Sequence, residues 1–76
     1  MCLAIPGRIV AIGGDPASPV AEVDYDGLRR NAQLMYLPEA RVGDYVLVQA
    51  GFAIRRLPEA EALEALALAK EAVSAA

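Results

Sequence analysis

Between Leu3 and Leu57 the chain has no stretch that reads as a helix. Five short β-prone runs follow one another in under sixty residues, each cut off by turn residues. Leu3–Ile12 is rich in β-branched and aliphatic side chains, and GGDPASP at Gly13–Pro19 has the composition of a loop. Asp26-Gly27 then stands between two further runs; Asp-Gly supplies the positive φ values of a type I′ turn, so a hairpin is predicted there. PEARVGD at Pro38–Asp44 makes another turn. The last run, YVLVQAGFAIRRL, is broken at Gly51, where a bulge or a bend between two strands is expected. A sheet this small cannot otherwise protect its edges, so the pattern predicts a closed or nearly closed antiparallel barrel. Strand patterning alone leaves OB-like and SH3-like topologies open.

From Pro58 the character changes. LPEAEALEALALAKEAVSAA is dominated by alanine and leucine, with Pro58 suited to a first helical position and Glu59, Glu61 and Glu64 near the positive end of the dipole. Leu63, Leu66, Ala67 and Val73 are expected on one face, interrupted by Lys70. Such a helix is marginal alone in water and must dock on the barrel or on a partner. The expectation is a single mainly β domain: a small barrel over residues 1–57 and a C-terminal helix over 58–76.

Composition narrows the functions available. At 76 residues the chain buries a thin core and cannot wall a deep cavity on every side. With one cysteine and no histidine it can form neither an internal disulfide nor a closed four-ligand metal site, and it fits a reducing compartment. No apolar run approaches the ~20 residues of a membrane span. Pro6, Gly7 and Arg8 interrupt the opening before a signal sequence can form, so a cytoplasmic protein is expected. Charge is uneven. Six arginines balance six acids through Leu57, and the whole net charge of −3 lies in the helical tail. Nucleic-acid binding through phosphates calls for a basic excess that is absent.

Candidate chemistry is sparse. Cys2, the lone thiol, stands directly behind Met1; a thiolate is the soft ligand that iron, copper(I) or zinc prefers, and an inert exposed thiol is the alternative. Pro6 and Gly7 constrain the segment leading into the first strand. Arg29-Arg30 and Arg55-Arg56 alternate faces on strands and read as solvated surface. The four aromatics, Tyr25, Tyr36, Tyr45 and Phe52, could stack single-stranded bases but are expected mostly in the core. No histidine is available as a base beside Cys2 or Ser18, and no glycine-rich phosphate loop is present, so an independent enzyme is not expected.

Taken in order, MCLAIPGRIV, VDYDGLRRNAQL, VGDYVLVQAGFAI and the acidic LPEAEALEAL resemble the HypC/HupF family of [NiFe]-hydrogenase maturation chaperones over nearly the whole chain. The resemblance implies an OB-like barrel with a C-terminal helix. It implies a role in assembling iron that carries cyanide and carbon monoxide, Fe(CN)2CO, held only transiently and shared with a partner. Cys2 matches the essential family cysteine, acting with a HypD-like scaffold protein before iron delivery to the precursor of the hydrogenase large subunit. Partner contacts are then expected at Cys2, Pro6, Gly7, Gln49, Gly51 and Phe52, with no nucleic acid and no membrane. One position departs from the family pattern. The usual histidine of Val-Leu-Val-His-x-Gly-Phe is Gln49 here, a neutral amide that ligates poorly and cannot titrate. Two other readings stand beside this one: a single-strand-binding barrel, and a structural subunit in which Cys2 is incidental.

Overall fold

The computed structural model of the protein describes residues 5–74. Five strands, β1 (Gly7–Asp15), β2 (Ser18–Tyr25), β3 (Leu28–Gln33), β4 (Tyr45–Gln49) and β5 (Phe52–Leu57), precede one helix, α1 (Glu59–Ser74). The strands close into a barrel in the order β1-β2-β3-β5-β4, which is the OB-like arrangement. The expected antiparallel pairing holds at every junction but one. β3 and β5 run parallel and meet at a single pair, Gln33 with Phe52.

The first loop is much shorter than its composition suggests. β1 continues through Gly13 and Gly14 to Asp15, which pairs with Ser18, leaving only Pro16 and Ala17 to turn the chain. The Asp15 carboxylate accepts a hydrogen bond from the Ala17 amide at 2.8 Å and closes that turn. Cross-strand pairing thus overrides the loop-forming composition of GGDPASP. Asp26-Gly27 turns the next hairpin as expected, both residues having positive φ (54° and 99°). Ala50 (φ 53°) and Gly51 (φ 84°) form the same kind of two-residue turn between β4 and β5, which is the expected bend between two strands at Gly51. The pairing also jumps between Leu47–Arg55 and Val48–Ala53, leaving Ile54 as the extra residue of a bulge. A second shift, between Ile9 and Ala11, leaves Val10 extra in β1. Bulges sharpen local twist, which helps a narrow sheet to close.

The core is built of small and branched aliphatics. Ile9, Ala21, Val23, Ala32, Leu34, Ala40, Val46 and Ala53 make one buried cluster, flanked by half-buried Tyr25, Leu37 and Val48. Aromatics were expected there, yet Tyr36 is exposed and Tyr25, Tyr45 and Phe52 are only half-buried. Five strands enclose too narrow a space for several rings, and alanine fills it from three of them.

The helix faces differently from the expectation. Ala62 is fully buried and Ala65, Leu66 and Ala69 are half-buried, whereas Leu63 and Ala67 are exposed; Val73's side chain lies outside the described residues. The Pro58 carbonyl accepts the Ala62 amide at 2.9 Å and begins the helix, and Arg55 pairs with Glu61 at 3.9 Å across the junction. Only the first turns of the helix are seated in this way, by the small buried side chain of Ala62.

Candidate functional site

Cys2, the residue that most suggested chemistry, lies outside the described residues. What the structure describes is the base from which its segment departs. Pro6 is among the fully buried side chains, Gly7 is buried, and Ile5 is already exposed. Gly7 opens β1 and pairs with Val46 of β4, and Arg8 pairs with both Tyr45 and Asp24. A Cβ placed on Gly7 would lie 2.2 Å from Val23 Cγ1 and 2.8 Å from the Tyr25 ring, so glycine is required by space alone. Pro6 and Gly7 therefore face inward as the packed root of the N-terminal segment, with little surface of their own to offer a partner.

Beside this root runs a groove of about 920 Å³ between the barrel and α1. Ile5, Pro6, Tyr25 and Tyr45 line the barrel side, and Leu66 and Lys70 line the helix side. Burial pushes the Tyr25 phenol above its ordinary ionisation range, partly offset by the Arg30 guanidinium, so the ring is neutral at physiological pH.

The other expected contact residues sit at the β4–β5 hairpin. Gln49 and Gly51 are exposed, and Phe52 is half-buried with its ring centroid 5.4 Å from that of Tyr36. Gln49 and Phe52 pair across the turn, and the Gln33 amide donates to the Gly51 carbonyl at 2.8 Å, pinning the tip to the end of β3. β4 joins the two places, with Val46 opposite Gly7 and Gln49 three residues further on. Ala50, between them, holds a left-handed backbone without the side chain that usually tolerates it, at a cost of about 1 kcal/mol.

Sequence reading expected the aromatics mostly in the core and Leu66 on the helix's apolar face, and named neither Tyr25 nor Leu66 as lining a groove. The missing signal is register. Tyr25 follows Asp24, the partner of Arg8, and so stands across from Gly7, which no local pattern reveals.

Among the described residues no group of three or more His, Cys, Asp or Glu could hold a metal ion, and none of the helices is long and apolar enough to cross a membrane. The arginine pairs are solvated: Arg29 meets Glu22 at 3.5 Å and Arg56 meets Asp44 at 3.6 Å, in exposed ion pairs that contribute little to stability. Fold and site together define a class: a small closed β-barrel with a helical tail, presenting a packed chain root and a shallow groove instead of an enclosed cavity. The chain belongs to the HupF/HypC family, whose model matches residues 1–69. It is 43% identical over 68 residues to the hydrogenase maturation factor HypC of Synechocystis sp., covering 87% of this chain and 90% of that protein. The factor of the same name from Azotobacter chroococcum is 46% identical over 71 residues, covering 93% and 81% respectively. That of Escherichia coli K12 is 38% identical over 72 residues, covering 87% and 76%.

Proposed function

We propose that this protein is a hydrogenase maturation chaperone that handles the Fe(CN)2CO fragment through the Cys2 thiolate, in complex with a HypD-like scaffold protein. It then passes that iron to the precursor of the [NiFe]-hydrogenase large subunit. The observation that carries this reading is family membership across residues 1–69, which include Cys2. The iron is cargo here, and the chain's own work is to bind, present and release it.

The chemistry of the donor set supports the role. One thiolate is too few ligands to hold iron permanently and enough to share it with a second protein. A closed four-ligand site would oppose transfer. The buried Pro6–Gly7 root gives a thiol near the terminus a fixed base on the barrel. Gln49 adds an exposed amide at the hairpin tip, where it can donate and accept hydrogen bonds toward a partner without competing for the metal.

The test is an anaerobic pull-down of tagged protein from cells producing hydrogenase accessory proteins, wild type beside Cys2→Ala. Iron content and the infrared bands of bound cyanide and carbon monoxide are recorded. The expected result is a scaffold partner bearing those bands with the wild type, and loss of the iron with Cys2→Ala. Equal iron in both samples would remove Cys2 from the mechanism.

A further inference from the structure

The two ends of β1 differ in what covers them. Its first residues lie between two strands. Gly7 and Arg8 pair with Val46 and Tyr45 of β4, the Ile9 amide donates to the Asp44 carbonyl at 2.9 Å, and the Ile9 carbonyl accepts from the Gly43 amide at 2.8 Å. From Ala11 to Asp15 every ladder pair is with β2, and each residue is exposed. Alternation shows which backbone groups this leaves open, because successive residues of an antiparallel strand turn their amide and carbonyl to opposite sides. The Leu34 amide donates to the Pro19 carbonyl at 3.0 Å, so Pro19 faces the β3 side and Val20 faces β1. Gly13, opposite Val20, therefore bonds to β2, and Ile12 turns its amide and carbonyl outward. Gly14 stands opposite Pro19, which has no amide to give it.

This edge lacks the usual protection. Between Arg8 and Asp15 it carries no charge, and Ile12 is 39% exposed. β3, which meets β5 at a single pair, carries Arg29 and Arg30 along its own open stretch, the kind of guard that keeps stray strands away. Beside the β1 edge lies a recess of about 310 Å³ lined by Ala11, Gly13, Val20, Glu22 and Asn31. Ala11, Glu22 and Asn31 stand in one row across β1, β2 and β3, and a Cβ on Gly13 would meet nothing within 4 Å. Arg29 approaches Glu22 Oε1 at 3.5 Å from the β3 side, so the β1 side is where a second cation could approach the carboxylate.

We propose that the distal edge of β1 takes an extended segment of a partner protein as an added strand, with a basic side chain crossing Ala11 to Glu22. Open backbone groups supply main-chain hydrogen bonds, and the recess selects the side chain. An added strand lies two strand spacings from β2, about 10 Å, which a lysine and Glu22 span together across the small Ala11 side chain. The surface lies at the opposite end of β1 from the Pro6–Gly7 root and is independent of the reading of Cys2.

The test is amide NMR of the full chain titrated with capped peptides. The probes are Thr-Val-Lys-Val-Thr, the same peptide with glutamate for lysine, and a control with proline for both valines, which cannot pair as a strand. The lysine peptide is expected to shift the Ile12, Gly13 and Glu22 amides. The glutamate peptide should bind about threefold more weakly, the scale of one cross-strand charge pair. Ile12→Pro removes the outward amide without breaking a bond to β2 and is expected to abolish the shifts at Gly13 and Glu22. Glu22→Gln should bring the lysine and glutamate peptides to equal affinity, and it also serves if Ile12→Pro does not fold. Unmoved Ile12 and Glu22 amides, or equal shifts with the proline control, overturn the strand-addition site. Equal affinity of the two charged peptides for wild type overturns the assignment of a basic side chain. The same shifts on concentrating the chain without peptide would give the edge to a second copy and overturn the proposed partner.

Discussion

The start of β1 and the helix α1 face each other across one groove, and they are held in opposite ways. The β1 root has few atoms and no slack: Pro6 and Gly7 are buried, and Gly7 has no room for a methyl group. The helix is rich in leucine, yet its only fully buried described side chain is Ala62, while Leu63 and Leu68 are 49% and 60% exposed. Hydrophobic content and structural commitment are thus separate properties. Close approach of backbones, made possible by glycine, fixes the root, whereas the helix is anchored to the barrel chiefly near its start, at Ala62. Leu63 and Leu68 remain outside and Leu66 is only half-buried, on an element that contributes little to the core.

The largest effect should come from crowding the root. Gly7→Ala drives a methyl into Val23 Cγ1 and the Tyr25 ring, and an overpacked core of this kind is expected to lose about 2–3 kcal/mol. The midpoint of urea unfolding measures it; a shift under a quarter of that size would mean the root can relax and is less committed than the helix. A smaller effect concerns pH. Burial raises the Tyr25 pKa above 10.0, so the folded state favours the neutral phenol. Its contribution is complete below that pH and is lost as pH rises through the folded value. Stability should accordingly fall more steeply above pH 10 in wild type than in Tyr25→Phe, and parallel curves would show that the groove does not desolvate the ring. The smallest effect is expected on the helix. Leu68→Gln should change stability by no more than about 0.5 kcal/mol, because the side chain is 60% exposed. A loss of several times that in the isolated protein would show that the leucine face is already committed to packing.

Much of this was legible in the residues. The closed barrel, the helix beginning at Pro58 and the Asp26-Gly27 hairpin all follow from period, composition and turn chemistry. Ala50-Gly51 adopts positive φ at both positions as well; Gly51 signals the bend between two strands, but alanine gives no sign that the turn includes Ala50. Asp26 announces its conformation because aspartate tolerates the left-handed region; Ala50 is held there by the strands on either side. The same long-range determination explains the short Pro16–Ala17 turn, the parallel β3–β5 junction and the placement of Tyr25 beside Gly7. Each depends on register between segments distant in sequence, which local periodicity does not encode. For the candidate site, Cys2 stands out by residue type and family pattern, whereas the buried Pro6–Gly7 root is visible only in the packing.

The barrel is two pieces sewn shut. β1, β2 and β3 form a meander and β4 with β5 a hairpin, each joined by two-residue turns between neighbours in the chain. The ladder seams that unite them are short: two residue pairs between β1 and β4, and one between β3 and β5. Ladder pairing within each piece is local and quick to form, while the seams must pay for closing long loops. Residues 34–44, which carry no strand, are the thread between the pieces. The architecture is in this sense a clasp, fastened in its ladder at three pairs of residues.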